Sequence, residues 1–395
     1  MRLSPRLIPR LDVDFDFRDF ILSLSENESP RESFEKIIYE FFPEGRILFV
    51  DSGRTALFLA LKAMNLGKGA RVGVPLYLCE VVFDAIVRAG CTPIFMDVDP
   101  RTFTLDPKDV ERKAVKLDAI IPVHIFGHPS DMDSILTACG NVKMIEDCAH
   151  GLGSLYKNKT VGSFGQASFY SFGLGKPISV GRFGLLLCKD DEIFTKASRI
   201  YDNFPNYSRF EHVLNSFRNF GRAALYRPPW FGTVSLPVGN IMDKRLDFMD
   251  KTGFDPHKAA NGSLWVLIKH LRQYPEKLRG AKENAEIFKN ILSSTKITPP
   301  ISESWASHTY FQFALTFETK DARDDAVDIL ARYGVDSIRF YHDSPNVATK
   351  YGYKHDCPVS ERIADTVLTI PCYRRLSQEM VNRIAEALRH LGGGG

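Results

Sequence analysis

The chain reads as an α/β protein: a three-layer, mostly parallel sheet sandwiched by helices, followed by a smaller C-terminal α+β domain. Three observations predict this. From Ile47 onward, short apolar strands alternate with helical stretches. Those strands are continuous apolar runs rather than alternating ones, the pattern of strands buried on both faces. At 395 residues the chain is also too long for one small core.

Residues 1–44 form an N-terminal extension in which Asp12, Asp14, Asp16 and Asp19 alternate with Phe15, Phe17 and Phe20, with a helix expected near 30–42. The large domain, 45–255, then opens with a strand at 47–50 and a helix at 55–65. A strand at 72–75 leads to a helix at 79–89, and a strand follows at 92–96. Next come a strand at 119–124, a helix at 131–138, and strands at 142–147 and 182–189. Between 203 and 255 lies an aromatic- and arginine-rich insertion containing Phe217, Arg218, Arg222, Arg227 and Trp230, broken by Pro228-Pro229. The small domain, 256–395, has a helical stretch at 257–293, a strand at 309–317 and a helix at 321–333. A strand at 336–341, a helix at 358–365, a strand at 366–370 and a last helix capped by Ser377 complete it. Gly392 to Gly395 are set aside as a frayed tail.

Composition narrows the class. Hydrophobic residues at 44% and charged residues at 25% are ordinary for a globular protein. A formal charge of +3, spread along the chain, gives no nucleic-acid footprint. Seven cysteines, an odd number without paired zinc-like spacing, read as reduced thiols in a cytoplasm, and no metal site is expected. The basic N-terminus lacks the apolar core of a signal peptide, and no apolar run reaches the length of a membrane span.

Ligands of parallel sheets collect at the carboxyl ends of the strands, and three features fall there. Gly53-Arg54-Thr55 joins a strand to a helix. A glycine at such a turn lets backbone N–H groups face an anion; the plainer reading is a tight turn capped by Ser52 or Thr55. Asp147 ends a buried strand, where it could keep a pyridine nitrogen protonated or serve as a cap or core ion pair. His150 could donate to a ring oxygen or pack in the core. Lys176 follows Gly173 and Gly175, so backbone can approach a ligand closely there, although most single lysines are solvated. An acid, a phosphate cradle and a lysine, in this order, are what pyridoxal 5'-phosphate requires. The insertion at 203–255 reads as a packed insertion, a substrate lid, a subunit arm or a patch for a lipid surface.

These stretches resemble the DegT/DnrJ/EryC1/StrS family of sugar aminotransferases, pyridoxal-phosphate enzymes of fold type I, the aspartate aminotransferase class. The likeness runs over about 46–200 and 257–390 through DSGRTALFLALKAMNLGKGARVGVP, AGCTPIFMDVDPRTFTLDP, AIIPVHIFGHPSDMDSI, IEDCAHGLGSLYKNKTVGSFGQASFYSFGLGK and CPVSERIADTVLTIPCYRRLS. The resemblance implies that Lys176 binds the cofactor covalently, Asp147 pairs with its pyridine nitrogen and His150 contacts its ring oxygen. It also implies that Ser171, Gly53, Arg54 and Thr55 hold its phosphate. It implies a homodimer with interfacial active sites, glutamate or a similar donor, and a nucleotide-linked keto-sugar acceptor, in biosynthesis of an amino sugar for a surface polysaccharide or secondary metabolite. This sequence departs from the pattern in places. Leu76-Tyr77-Leu78-Cys79 stands where an aromatic residue usually stacks on the cofactor, so Cys79 fills that slot and Tyr77 is a candidate substitute. Gly181-Arg182-Phe183-Gly184 replaces the usual Gly-Glu-Gly-Gly, and the family's Asn-x-Arg segment is not recognisable near 253–257. Arg339 could face an anionic substrate or lie on the surface. A lyase or decarboxylase on a non-sugar substrate, or a non-catalytic binding or regulatory subunit, are the alternative readings.

Overall fold

The computed structural model describes residues 4–25, 34–35, 37–238 and 253–393. Its strands are β1 (Arg46–Val50), β2 (Arg71–Pro75), β3 (Thr92–Met96), β4 (Ala119–Ile120), β5 (Lys143–Asp147), β6 (Leu155–Tyr156), β7 (Lys159–Thr160), β8 (Ala167–Ser171), β9 (Gly184–Cys188), β10 (Ala306–Ser307), β11 (Phe313–Thr316) and β12 (Val367–Ile370). Seven of them form the main sheet in the order β1-β9-β8-β5-β4-β2-β3. Only β9 runs against its neighbours, pairing antiparallel with both β1 and β8. The parallel pairs need crossovers. Those include α2 (Gly53–Ala63), α3 (Glu80–Arg88), α4 (Pro107–Ala114) and α5 (Met132–Cys139), which follow α1 (Phe17–Ser23) of the N-terminal extension. Smaller sheets join β10-β6-β7 and β11-β12.

Register places the chemistry. Asp147 pairs with Phe169 across β5 and β8, and Ser171 pairs with Gly184 across β8 and β9. Both pairs lie at the carboxyl ends of β5 and β8. Gly184 has to be glycine: a Cβ there would sit 2.4 Å from the Ser52 carbonyl carbon and 2.7 Å from the Gly53 nitrogen. The start of α2 therefore rests directly on β9.

Beyond the sheet, α6 (Asp191–Tyr201) packs on α2. The insertion folds as α7 (Arg209–Leu225) and a π-turn at Phe231–Ser235; its residues 239–252 lie outside the described residues. Then α8 (Asn261–Leu292) runs for 32 residues through both parts of the molecule. Its first half, with Leu264, Leu267 and Leu271, joins the core behind the main sheet. Its second half, with Ala285, Phe288 and Leu292, joins the C-terminal core of β11, β12, α9 (Lys320–Arg332) and α12 (Gln378–Leu391). Between the last two lie α10 (Ser344–Thr349) and α11 (Pro358–Thr366).

The structure departs from the sequence pattern in four places. The strand expected at 119–124 pairs regularly only over Ala119–Ile120, because Phe126 takes φ 55° and the chain turns at Ile125–Gly127. The strand expected at 309–317 starts later, at Phe313, since Tyr310 has φ 52°. No strand forms at 336–341; Ile338 makes one isolated bridge to Thr369, and Tyr341 at φ 53° turns the chain away. The helix expected near 30–42 falls partly outside the described residues, and Ile38–Glu40 is a single 3-10 turn.

The N-terminal extension is held by ionic contacts. Lys269 lies 2.8 Å from Asp19, and His270 pairs with the same carboxylate at 3.1 Å. Burial would raise the pKa of Asp19, but bonds from His270 and Lys269 outweigh it and bring it down to about 2.

Candidate active site

A cavity of about 600 Å³ opens where the carboxyl ends of β5 and β8 meet the start of α2. Asp147, His150, Ser171, Lys176, Gly53 and Cys79 all line it. The structure thus brings together residues spread over more than 120 positions of sequence, from 53 to 176.

The end of the cavity at α2 is shaped by backbone. Ser52 caps α2, its hydroxyl accepting from the Thr55 N–H at 3.1 Å. The other N–H groups of this first turn point out along the helix axis, where the macrodipole favours an anion. Gly53 packs against Ser171 so closely that a Cβ would lie 2.8 Å from the serine Cβ. The serine hydroxyl therefore stands beside the helix N-terminus.

Asp147 is 3% exposed, and among the described residues one N–H, that of Ala149 at 2.9 Å, donates to it. Burial raises its pKa, partly offset by that bond and by Lys176. A carboxylate held in this way gains from a cationic partner.

Lys176 and His150 form a pair, with Nζ and Nε2 3.0 Å apart. The Phe126 N–H donates to His150 Nδ1 at 3.4 Å. Neutral His150 then carries its proton on Nε2 and donates it to the lysine, which must be an uncharged amine to accept. Burial, which lowers the pKa of Lys176, favours the same state. His150 is likewise pushed well below its ordinary value, first by burial and then by Lys176. The imidazole lies nearly parallel to the rings of Phe126 and Tyr341, at 14° and 12°.

Tyr77, Thr55 and Arg339 sit elsewhere, and Arg54 borders the cavity with its guanidinium engaged. Tyr77 is buried outside the cavity wall, and its hydroxyl donates to the Phe340 carbonyl at 2.8 Å. Packing of its ring against Phe103 and Phe126 holds it in the core beneath. Thr55 donates to Asp51 at 2.5 Å instead of facing the cavity. Arg54 borders the cavity, but its guanidinium reaches Asp84 at 3.4 Å and the Gly253 carbonyl at 2.9 Å. Arg339 pairs with Asp324 at 3.2 Å and is not part of the wall.

Sequence reasoning missed Tyr341 and Asp51. Tyr341 lines the cavity from the C-terminal part, and burial raises its phenol well above the ordinary value. Asp51 is buried and accepts from Arg182 at 2.7 Å, Tyr207 at 3.2 Å and the His257 N–H at 3.3 Å. It ties the phosphate turn to the loop after Lys176 and to both flanks of the insertion. A buried aspartate immediately before a glycine turn was the only available signal for it.

On its other side Lys176 borders a second cavity of about 550 Å³, lined also by Arg10, Asp12, Lys277, Tyr310 and Arg374. It is built by the N-terminal extension, α8 and the C-terminal part together. His124, Glu146 and Cys148 also cluster, with donor atoms within 4.8 Å. There the Glu146 oxygens are already engaged by N–H donors, which leaves the cluster structural.

The cradle at Gly53, the uncharged amine and the sparsely bonded acid fit pyridoxal 5'-phosphate. A model of the DegT/DnrJ/EryC1/StrS aminotransferase family matches residues 25–389. The chain is 33% identical over 401 residues to a GDP-perosamine synthase of Caulobacter vibrioides, covering 96% of this chain and 98% of that one. It is 30% identical over 346 residues to the GDP-perosamine synthase of Escherichia coli O157:H7, covering 86% and 84%. A Streptococcus pneumoniae protein solved in PMP and PLP forms superposes with TM-score 0.78 at 18% identity in its PMP form, over 98% of both chains. Among the described residues no helix is long and apolar enough to cross a membrane.

Proposed function

The chain belongs to the DegT/DnrJ/EryC1/StrS aminotransferase family, and from that premise we propose that it moves an amino group from glutamate to a nucleotide-linked keto-sugar, with pyridoxal 5'-phosphate as cofactor. The observation that carries this reading is the convergence of Lys176, His150 and Asp147 on one cavity beside the Gly53 cradle. When bound, the cofactor supplies an aldehyde to carry the amino group and an electron-withdrawing ring that stabilises negative charge on the substrate carbon.

The chain's residues do the rest. Asp147, sparsely bonded and buried, would pair with the pyridine nitrogen and favour its protonated form. Ser171 and the first turn of α2 would hold the phosphate. Cys79 and Tyr341 bound the ring. Lys176, uncharged and beside His150, would accept the proton from the donor α-carbon and hand it to the cofactor's aldehyde carbon. Thr55 acts through Asp51, as a positioning residue. The sugar enters from the second cavity, where Arg10, Asp12, Lys277 and Arg374 offer polar partners for hydroxyls.

Relatives named GDP-perosamine synthase support a nucleotide-linked sugar, and hence a place in amino-sugar biosynthesis. We assign the working unit as a cytoplasmic homodimer with interfacial active sites, on the family pattern and on the free state of all seven cysteines. Residues 45–255 then form the cofactor domain and 256–395 the smaller one.

The test is a half-reaction. Protein loaded with pyridoxal phosphate is mixed with glutamate, and the loss of the aldehyde-form absorbance is followed together with 2-oxoglutarate release. No conversion with glutamate or any other amino donor overturns the transaminase reading. Carbon dioxide release without 2-oxoglutarate would instead identify a decarboxylase.

A further inference from the structure

The helix α7 leaves much of its apolar surface outward. The residues it buries are His212, Ser216 and Ala223, small or polar side chains. Phe220 packs inward on the core, but much of the apolar set faces outward: Phe210 is 76% exposed and Phe217 57%, with Val213 and Leu225 beside them. At 100° per residue, positions 210, 213, 217 and 224 share one stripe, with Arg209 along one flank and Arg218 along the other, and Arg222 farther round the same side as Arg218. An amphipathic surface helix ordinarily buries its apolar stripe against its own core. This one shows it to the exterior.

The stripe is continuous with other apolar groups. Phe17 of α1 packs on Phe220 at 5.9 Å, and Phe20 on Phe217 at 6.3 Å, which brings exposed Phe17 and Ile21 alongside. Beyond the helix, Phe231 is buried and Gly232 lies against Ser4, where a Cβ would come within 2.1 Å of the Ser4 carbonyl oxygen. That anchor presents Trp230, 55% exposed, and Val234 outward. The stretch from 203 to 238 carries Arg209, Arg218, Arg222 and Arg227 against Glu211 alone.

We propose that this face, α7 with α1 and the 230–238 turn, seats the protein on an anionic phospholipid bilayer as a peripheral enzyme. Outward aromatic side chains with flanking arginines are the composition of an interfacial helix, which buries its apolar stripe at the headgroup level while the cations meet lipid phosphates. Among the described residues no helix could span, so the contact lies on the surface. A second copy on the same face is the competing occupant, and the experiment separates the two.

The experiment is vesicle flotation of the cofactor-loaded enzyme. Neutral phosphatidylcholine vesicles are compared with vesicles enriched in phosphatidylglycerol, at low and high salt. The protein is expected to float with the anionic vesicles only, and less at high salt. Arg218→Gln with Arg222→Gln should weaken binding roughly fivefold per arginine (about 1 kcal/mol each), or about thirtyfold together. Phe217→Ser with Trp230→Ser should abolish it, while the glutamate half-reaction and cofactor absorbance stay as in the parent. No binding to anionic vesicles at low salt overturns the proposal, as does equal binding of the arginine pair variant. So does an aromatic variant that floats like the parent but changes its mass in sedimentation, which would identify the face as a contact between copies. Should the serine pair fail to fold, the arginine pair alone decides, since both arginines are exposed.

Discussion

Glu146 and Asp147 are neighbours on one strand, both buried, and they lead opposite lives. Glu146 points away from the cavity and accepts from the Gly162, Phe164 and Gly165 N–H groups at 2.6–2.7 Å and from His124 at 3.1 Å. The His124 proton is fixed on Nε2, because the Ser130 N–H donates to its Nδ1. Asp147 faces the cavity with the single described bond from Ala149. Strand alternation alone sends the two side chains to opposite faces. What separates them is saturation. A carboxylate with its lone pairs filled is a fixed part of the scaffold, whereas one left short of donors by burial is ready to meet a charged ligand.

Substitutions can break that contrast, and the largest effect lies on the cavity side. Lys176→Ala should lower kcat by on the order of 10⁴-fold, at the upper end for a positioned acid–base group, measured in the glutamate half-reaction. Asp147→Asn should cost about 10²- to 10³-fold in the same assay, with the fold stability nearly unchanged. Glu146→Gln should do the reverse. It puts an amide donor where N–H groups already point, and should cost about 3 kcal/mol in denaturant unfolding of the cofactor-free protein while leaving kcat within a few fold. If Asp147→Asn unfolds the protein and Glu146→Gln stops the chemistry, the contrast is wrong. Gly184→Ala would test the seat of the phosphate turn, with an expected loss of about 2 kcal/mol from crowding Ser52 and Gly53.

The smallest effect is in pH. Lys176 has a folded pKa lowered from the ordinary 10.5 by burial, so the unfolded chain binds the extra proton in the window between the two values. Stability of the cofactor-free protein should therefore gain a contribution as pH rises through that window, and Lys176→Met should remove it. Capture of the cofactor should likewise speed up as pH rises through the lowered value, measured by stopped-flow absorbance. A capture rate that rises only near pH 10.5 would place a charged amine in the cavity.

Much of the sheet and of the cavity floor was legible in the sequence, because both rest on local rules. Continuous apolar strands, a glycine turn before a helix and an acid at a strand end each have a short-range signature. The mouth of the site had none. Tyr341 reaches the cavity through a left-handed turn where the apolar pattern reads as strand. Tyr77 looked available for stacking, yet its hydroxyl is used by the Phe340 carbonyl 263 positions away. Arg54 looked like a phosphate contact, but Asp84 of α3 draws its guanidinium aside. The helix α7 was not legible, because its segment reads as aromatic- and arginine-rich without one apolar face.

The 32-residue helix α8 limits how this chain can be divided. A cut before Asn261 would leave the C-terminal fragment carrying Leu264, Leu267, Ile268 and Leu271 bare to water, a recipe for aggregation. A cut after Leu292 would strip that fragment of Phe288 and leave a hole at its centre. Neither piece is a portable module, so truncation and domain-swap experiments on this protein should carry the helix whole and expect the two halves to melt as one.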